Sequence, residues 1–274
     1  MEFGNEGGVC EEEGRRPDAL TRIPKGRGVR RPYWGEVHAA QEELATLNSQ
    51  GATKKEGGTM TEMSPVAGGL LRIHKIISRA LNVSIRKCDE YLGKQGIPPE
   101  EAAGFLMYVT TLKWITHSHH LTEDDMVFPC FREKLEAPYT RLQDDHQAIA
   151  RILVNLDKCL SEISSGGVGK LREVLGEFDK LWGPHIRIEE EHFTADKLKP
   201  VAGMQEQVDL AARFAEHGKK NAGPGPLALP FLFYNLEGTD REAFLVPFPW
   251  IVKKVLVPII WRGKWKPMSP FLLL

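Results

Sequence analysis

Four stretches with the apolar periodicity of helices follow one another between Ser64 and Leu198, and only short links separate them. Short links make successive helices antiparallel neighbours, so the chain is expected to be all-α, an up-down-up-down four-helix bundle. Ser64 offers an N-cap and Pro65 a first helical residue, and this helix should run to about Tyr91. The second begins after Pro98-Pro99-Glu100-Glu101 and continues to about Val127, where Pro129 should stop or kink it. The third spans about Pro138 to Ile163 and ends at Ser164-Ser165-Gly166-Gly167. The fourth spans about Val168 to Leu198, with Gly183-Pro184 predicting a kink.

Residues three, four and seven apart share a helix face. His74 lies on the stripe Leu70, Ile73, Ile77, Leu81 and Ile85. His119 follows Phe105, Val109, Leu112 and Ile115, with Glu123 one turn on. His146 sits among Tyr139, Leu142, Ile149, Leu153 and Leu156. His185 continues Leu171, Val174, Leu175, Phe178, Leu181 and Trp182, and Glu189 again lies one turn on.

One histidine on an apolar stripe is most often a core residue with an ordinary hydrogen bond. Here every helix delivers one, and two of them add an inward glutamate. Buried carboxylates cost several kcal/mol each unless a cation or a hydrogen-bond network compensates, and a metal pair would do so. Histidine with carboxylate suits iron, manganese or zinc. Cys10, Cys88, Cys130 and Cys159 are too far apart for a thiolate zinc motif.

His74, the string His117-Ser-His119-His120-Leu-Thr-Glu123-Asp124-Asp125-Met-Val-Phe128-Pro129, His146, and His185-Ile-Arg-Ile-Glu189-Glu190-Glu191 together resemble the hemerythrin-like HHE cation-binding domain. The resemblance covers residues 66–198, about half the chain. The closing stretch, with PFLFYNL and PMSPFLLL, looks like the extension of fungal and plant HHE proteins. The resemblance implies a non-haem centre of two iron ions, or another divalent metal, with His74, His119, Glu123, His146, His185 and Glu189 as ligands and the two glutamates as candidate bridges. It implies a protein that binds oxygen, senses iron or oxygen, or handles nitric oxide or peroxide.

One departure stands out, because oxygen carriers of this family have HxxxH on the third helix and Ala150 follows His146 by four. His120 is the candidate to fill that gap, or water. His192 is a further candidate, seven after His185 and in the Glu189-x-x-His192 spacing of ferritin-like proteins. Asp124 and Glu190 are read as helix-surface charge, with Glu190 able to substitute for Glu189 after a small rotation, His117 as solvated or as an outer partner of the site, and His217 as a cap at a helix end.

The flanks carry less information. Residues 1–63 read as a disordered or loosely ordered leader, with one short helix from Glu36 to Leu47. Residues 199–274 read as a partly helical extension that packs on the bundle or offers a surface to a protein partner. Thirty-six Lys+Arg against 37 Asp+Glu give no electrostatic footprint for nucleic acid. No apolar run reaches membrane-spanning length, and the acidic start argues against a targeting peptide, so a cytoplasmic protein is expected. No nucleotide loop, nucleophile elbow or HExxH string appears. Metal and small-ligand binding or sensing is therefore the leading expectation, rather than enzyme activity. A metal-dependent oxidoreductase or peroxide scavenger is one alternative, and a structural bundle with a degenerate site is another.

Overall fold

The structure is a computed structural model that describes residues 64–94, 96–163 and 167–274. The expected leader lies outside the described residues. Among the described residues all regular secondary structure is helical. The bundle helices are α1 (Pro65–Gly93), α2 (Pro99–Thr122), α3 (Tyr139–Ser161) and α4 (Val168–His192). They pack as a ring in chain order, α1 on α2, α2 on α3, α3 on α4 and α4 back on α1.

Local chemistry explains most boundaries. Ser64 Oγ accepts from the Ala67 amide at 3.1 Å, and Pro65 opens the helix. α4 passes uninterrupted through Pro184, whereas the expected single helix to Leu198 divides. Its interruption is Phe193-Thr194: Thr194 takes extended backbone angles and its hydroxyl caps a separate turn, Ala195–Leu198.

Pro129 does not end the second helix. Instead the chain widens into a π-helical segment, Glu123–Val127, and continues through a helical turn at Phe128–Phe131. A proline has no amide for the carbonyl four residues back and its ring crowds it, so the preceding turn opens and the Phe128 amide bonds to Glu123 oxygen instead. The widened turn begins on a residue that faces the interior.

α2 departs from the amphipathic pattern expected of every helix. Its buried residues include Phe105, Tyr108, Thr111, Ile115, Ser118, His119 and His120, which occupy several faces. Elements between Met204 and Phe271 cover its outer side. α5 (Met204–Asn221) packs against α1 and α2, α6 (Gly225–Tyr234) against α2, α7 (Gly238–Leu245) against α1, and a final 3-10 segment, Lys266–Phe271, against α2. A side chain at Gly104 would put its Cβ 1.9 Å from the Pro267 carbonyl oxygen, so only glycine admits this approach. Buried Asn235 accepts from Arg79 and from Tyr108, and Arg79 also donates to the Phe271 carbonyl at 3.0 Å.

The apolar interior falls into two clusters. One runs from Ile76 and Ile77 through Phe105, Ile149 and Phe178 to the tail residues Phe231 and Phe271; the other joins Val66, Phe128, Tyr139, Leu142 and Phe193. Between them, on all four helices, lies a band of buried polar side chains.

Candidate metal centre

Five imidazoles and two carboxylates form that band: His74 from α1, His119 and His120 from α2, Glu123 from the first π turn, His146 from α3, and His185 and Glu189 from α4. Each is under 9% exposed. His119 and His120 are sequence neighbours about 100° apart around α2, and both reach the interior because His119 faces α1, 5.1 Å from His74, while His120 faces α3 and α4, 4.2 Å from His146 and 5.3 Å from His185.

Their ligating atoms gather into two groups, His74, His119, Glu123 and Glu189 in one and His120, Glu123, His146 and His185 in the other. Within each group the atoms lie no more than 4.8 Å from one another. Ligands about 2.0 to 2.2 Å from a shared cation would be at most about 4.4 Å apart, so the spread is close to what a bound ion sets. Glu123 belongs to both groups. Glu189 spans them, with Oε2 at 3.1 Å from His74 Nε2 and Oε1 at 3.6 Å and 3.4 Å from Nε2 of His146 and His185.

These approaches lack the alignment of hydrogen bonds. Among the described residues, every buried side-chain nitrogen or oxygen without a hydrogen-bond partner belongs to these seven side chains: Nε2 of all five histidines, Nδ1 of His185, Glu123 Oε2 and both oxygens of Glu189. Several kcal/mol attach to each such group unless a cation satisfies it. The donor set is nitrogen and oxygen without sulfur, which fits iron, manganese or zinc.

The outer ring nitrogens are held separately. His74 Nδ1–H donates to Glu190 Oε1 at 2.9 Å and His146 Nδ1–H to Asp124 Oδ1 at 3.0 Å. In the neutral ring each bond makes Nε2 the bare nitrogen, and it faces inward. Glu190 is thus the outer partner of His74 and no substitute for Glu189, and Asp124 is more than surface charge. Trp182 lies edge-on to His74 at 5.6 Å between ring centroids and walls the band off from the larger apolar cluster, while Phe128 stacks on His146 at 5.5 Å from the opposite side.

Charges inside the band pull in opposite directions. Burial pushes Glu123 well above the carboxylate range, aided by Glu189 and Asp124. Burial, with His74 and His146 nearby, holds His119 and His120 well below ordinary histidine. For His74 burial works downward, but Glu189 and Glu190 raise it overall. His146 reaches about 9, since Asp124 and Glu189 outweigh its burial. Glu189 is held low despite burial, by His146 and His74. A cation would replace this mutual compensation.

The model of the Hemerythrin HHE cation binding domain family matches residues 68–195. This segment is a hemerythrin HHE domain. It contains all seven residues of the band. No match was found among curated proteins or among solved structures.

Within the HHE domain, His192 stands apart from both groups, and its Nδ1–H donates to the Ile188 carbonyl at 2.8 Å. Seven residues place it two turns beyond His185 along the axis, past the band. His117 is half-buried on another side of α2. His217 caps no helix end; it lies inside α5 and meets Thr122 at 3.1 Å and Asp125 at 3.4 Å. An apolar cavity of about 290 Å³ lies between α1, α2 and the tail helices, lined by residues such as Leu70, Ile73, Ile115, Phe214 and Leu229. It reaches His119 and Glu123. Among the described residues no helix is long and apolar enough to cross a membrane.

Proposed function

We propose that the HHE domain holds two iron ions, one among His74, His119, Glu123 and Glu189 and the other among His120, Glu123, His146 and His185, with both glutamates bridging. In this reading the protein binds or senses iron in the cytoplasm, together with a small ligand such as oxygen, nitric oxide or peroxide. The observation that carries it is the concentration of all partnerless buried polar atoms of the described residues on these seven side chains. When bound, iron supplies a Lewis-acidic, redox-active centre for such ligands.

The protein's own groups have definable tasks. Glu190 and Asp124 fix the tautomers of His74 and His146. Trp182 and Phe128 limit water at the rings. Five neutral imidazoles against two carboxylates favour the ferrous state and ligand binding over strong oxidation. The apolar cavity offers small uncharged molecules a way to the His119 and Glu123 side. That same access favours, as a second reading, a metal-dependent oxidoreductase or peroxide scavenger, and turnover with peroxide separates it from binding alone.

Metal analysis and an optical spectrum of aerobically purified protein test the proposal. Wild type should carry about two iron ions per chain with near-ultraviolet charge-transfer absorption, and His119→Ala and Glu189→Ala should deplete both. Full metal content in those variants would overturn the ligand assignment, and a metal-free wild type would leave a structural bundle with a degenerate site.

A further inference from the structure

From Ala243 to Leu274 the chain carries Lys253, Lys254, Arg262, Lys264 and Lys266 and not one aspartate or glutamate, although the whole chain is balanced in charge. The same stretch holds most of the strongly exposed large apolar residues of the described structure. Val246 is 75% exposed, Trp250 66%, Ile259 65% and Ile260 63%.

Local geometry explains why these side chains are outside. Val252–Ile260 is π-helical, with Pro258 inside it and the Trp261 amide bonded to Leu256 oxygen five residues back. Residues five apart then follow one another along the axis. Val252 and Val257 form the inner line and are buried. Lys254 and Ile259 form an outer line, and Ile260 lies two repeats from Trp250. Aliphatic groups, an indole and the Lys254 ammonium therefore share the outward side of a segment anchored from within, and exposed Arg262 and Lys266 follow directly after it.

We propose that this face rests on an anionic lipid bilayer. Basic charge without acidic charge complements anionic headgroups, and Trp, Ile and Val are the side chains that enter the headgroup and acyl boundary. A protein partner fits less well, because lysine is depleted from protein interfaces while it snorkels readily at lipid surfaces. The π-helical segment spans nine residues, far too few to cross a bilayer, so the face lies on the membrane. This placement is independent of the metal site.

Co-sedimentation of the full chain with phosphatidylcholine vesicles, with and without phosphatidylserine, tests it. Wild type should bind the phosphatidylserine vesicles preferentially and lose binding as salt rises. The triple variant Trp250→Ser/Ile259→Ser/Ile260→Ser and the double variant Lys254→Glu/Lys266→Glu should each weaken binding by about tenfold or more. All five positions are exposed, so helix content and melting temperature should stay at wild-type values and exclude misfolding as the cause. Equal binding to both vesicle types, no binding, or binding untouched by either variant overturns the proposal. So does a wild-type dimer that the apolar variant dissociates without any vesicle binding, which would make the face a protein interface.

Discussion

His120 stacks face to face on His146, with ring centroids 4.2 Å apart and planes inclined by 15°. The pair brings α2 and α3 together at the position where Ala150 offers no ligand. His120→Ala should therefore remove about half of the bound metal and spare the group built on His74 and His119. Metal counted per chain in the purified variant checks this, and unchanged stoichiometry would show that water or another group completes the site.

Glu190 and Asp124 act on metal only through the rings they hold. Glu190→Gln and Asp124→Asn should weaken metal affinity by about 10- to 100-fold without changing the number of sites. Competition against a chelator of known affinity reads this directly. A loss of sites in place of affinity would mean that the carboxylates themselves bind metal.

Metal uptake should displace protons at neutral pH. In the metal-free protein Asp124 and Glu189, against the effect of burial, carry His146 up to about 9. Below that value the ring is protonated and a cation must expel the proton; above it the nitrogen is already bare. Affinity should consequently climb as pH rises from about 7 to about 9 and then level off. Calorimetric titration with Fe(II) or Zn(II) in buffers of different protonation enthalpy should show buffer-dependent heat at neutral pH that fades by about pH 10. Heat that is the same in every buffer at neutral pH would count against a charged His146.

Gly104 is where the closing 3-10 segment meets α2. Gly104→Ala puts a methyl group against the Pro267 carbonyl, and helix propensity alone would predict a gain. The clash should prevail and destabilise the protein by about 1 to 3 kcal/mol in urea unfolding. A more stable variant would show that the tail can shift away without loss.

Much of this architecture is legible residue by residue. The stripe holding His74 and the stripe ending at His185 and Glu189 each follow from spacing along one helix, and both point inward as expected. His120 is harder to read, because a residue adjacent to an inward histidine ordinarily turns to another face. It is buried because of how α2 is rotated in the bundle, which sets His120 against His146 at 4.2 Å and His185 at 5.3 Å while His119 faces His74 at 5.1 Å. Pro129 signalled a stop or a kink, and what stands before it is a widened π-helical turn with Glu123 as its first residue.

Spacing along the chain thus determined that His74, His119, His146, His185 and Glu189 face inward, since a helix's period is a local property of its backbone, while the inward turn of His120 depends on how α2 is rotated. Only the packed molecule decided that Glu123 serves both groups, that Glu190 and Asp124 grip the outer nitrogens, and that His192 stands outside. Those relations join side chains on different helices, and their distances depend on how the helices are rotated and stacked, which no single helix encodes.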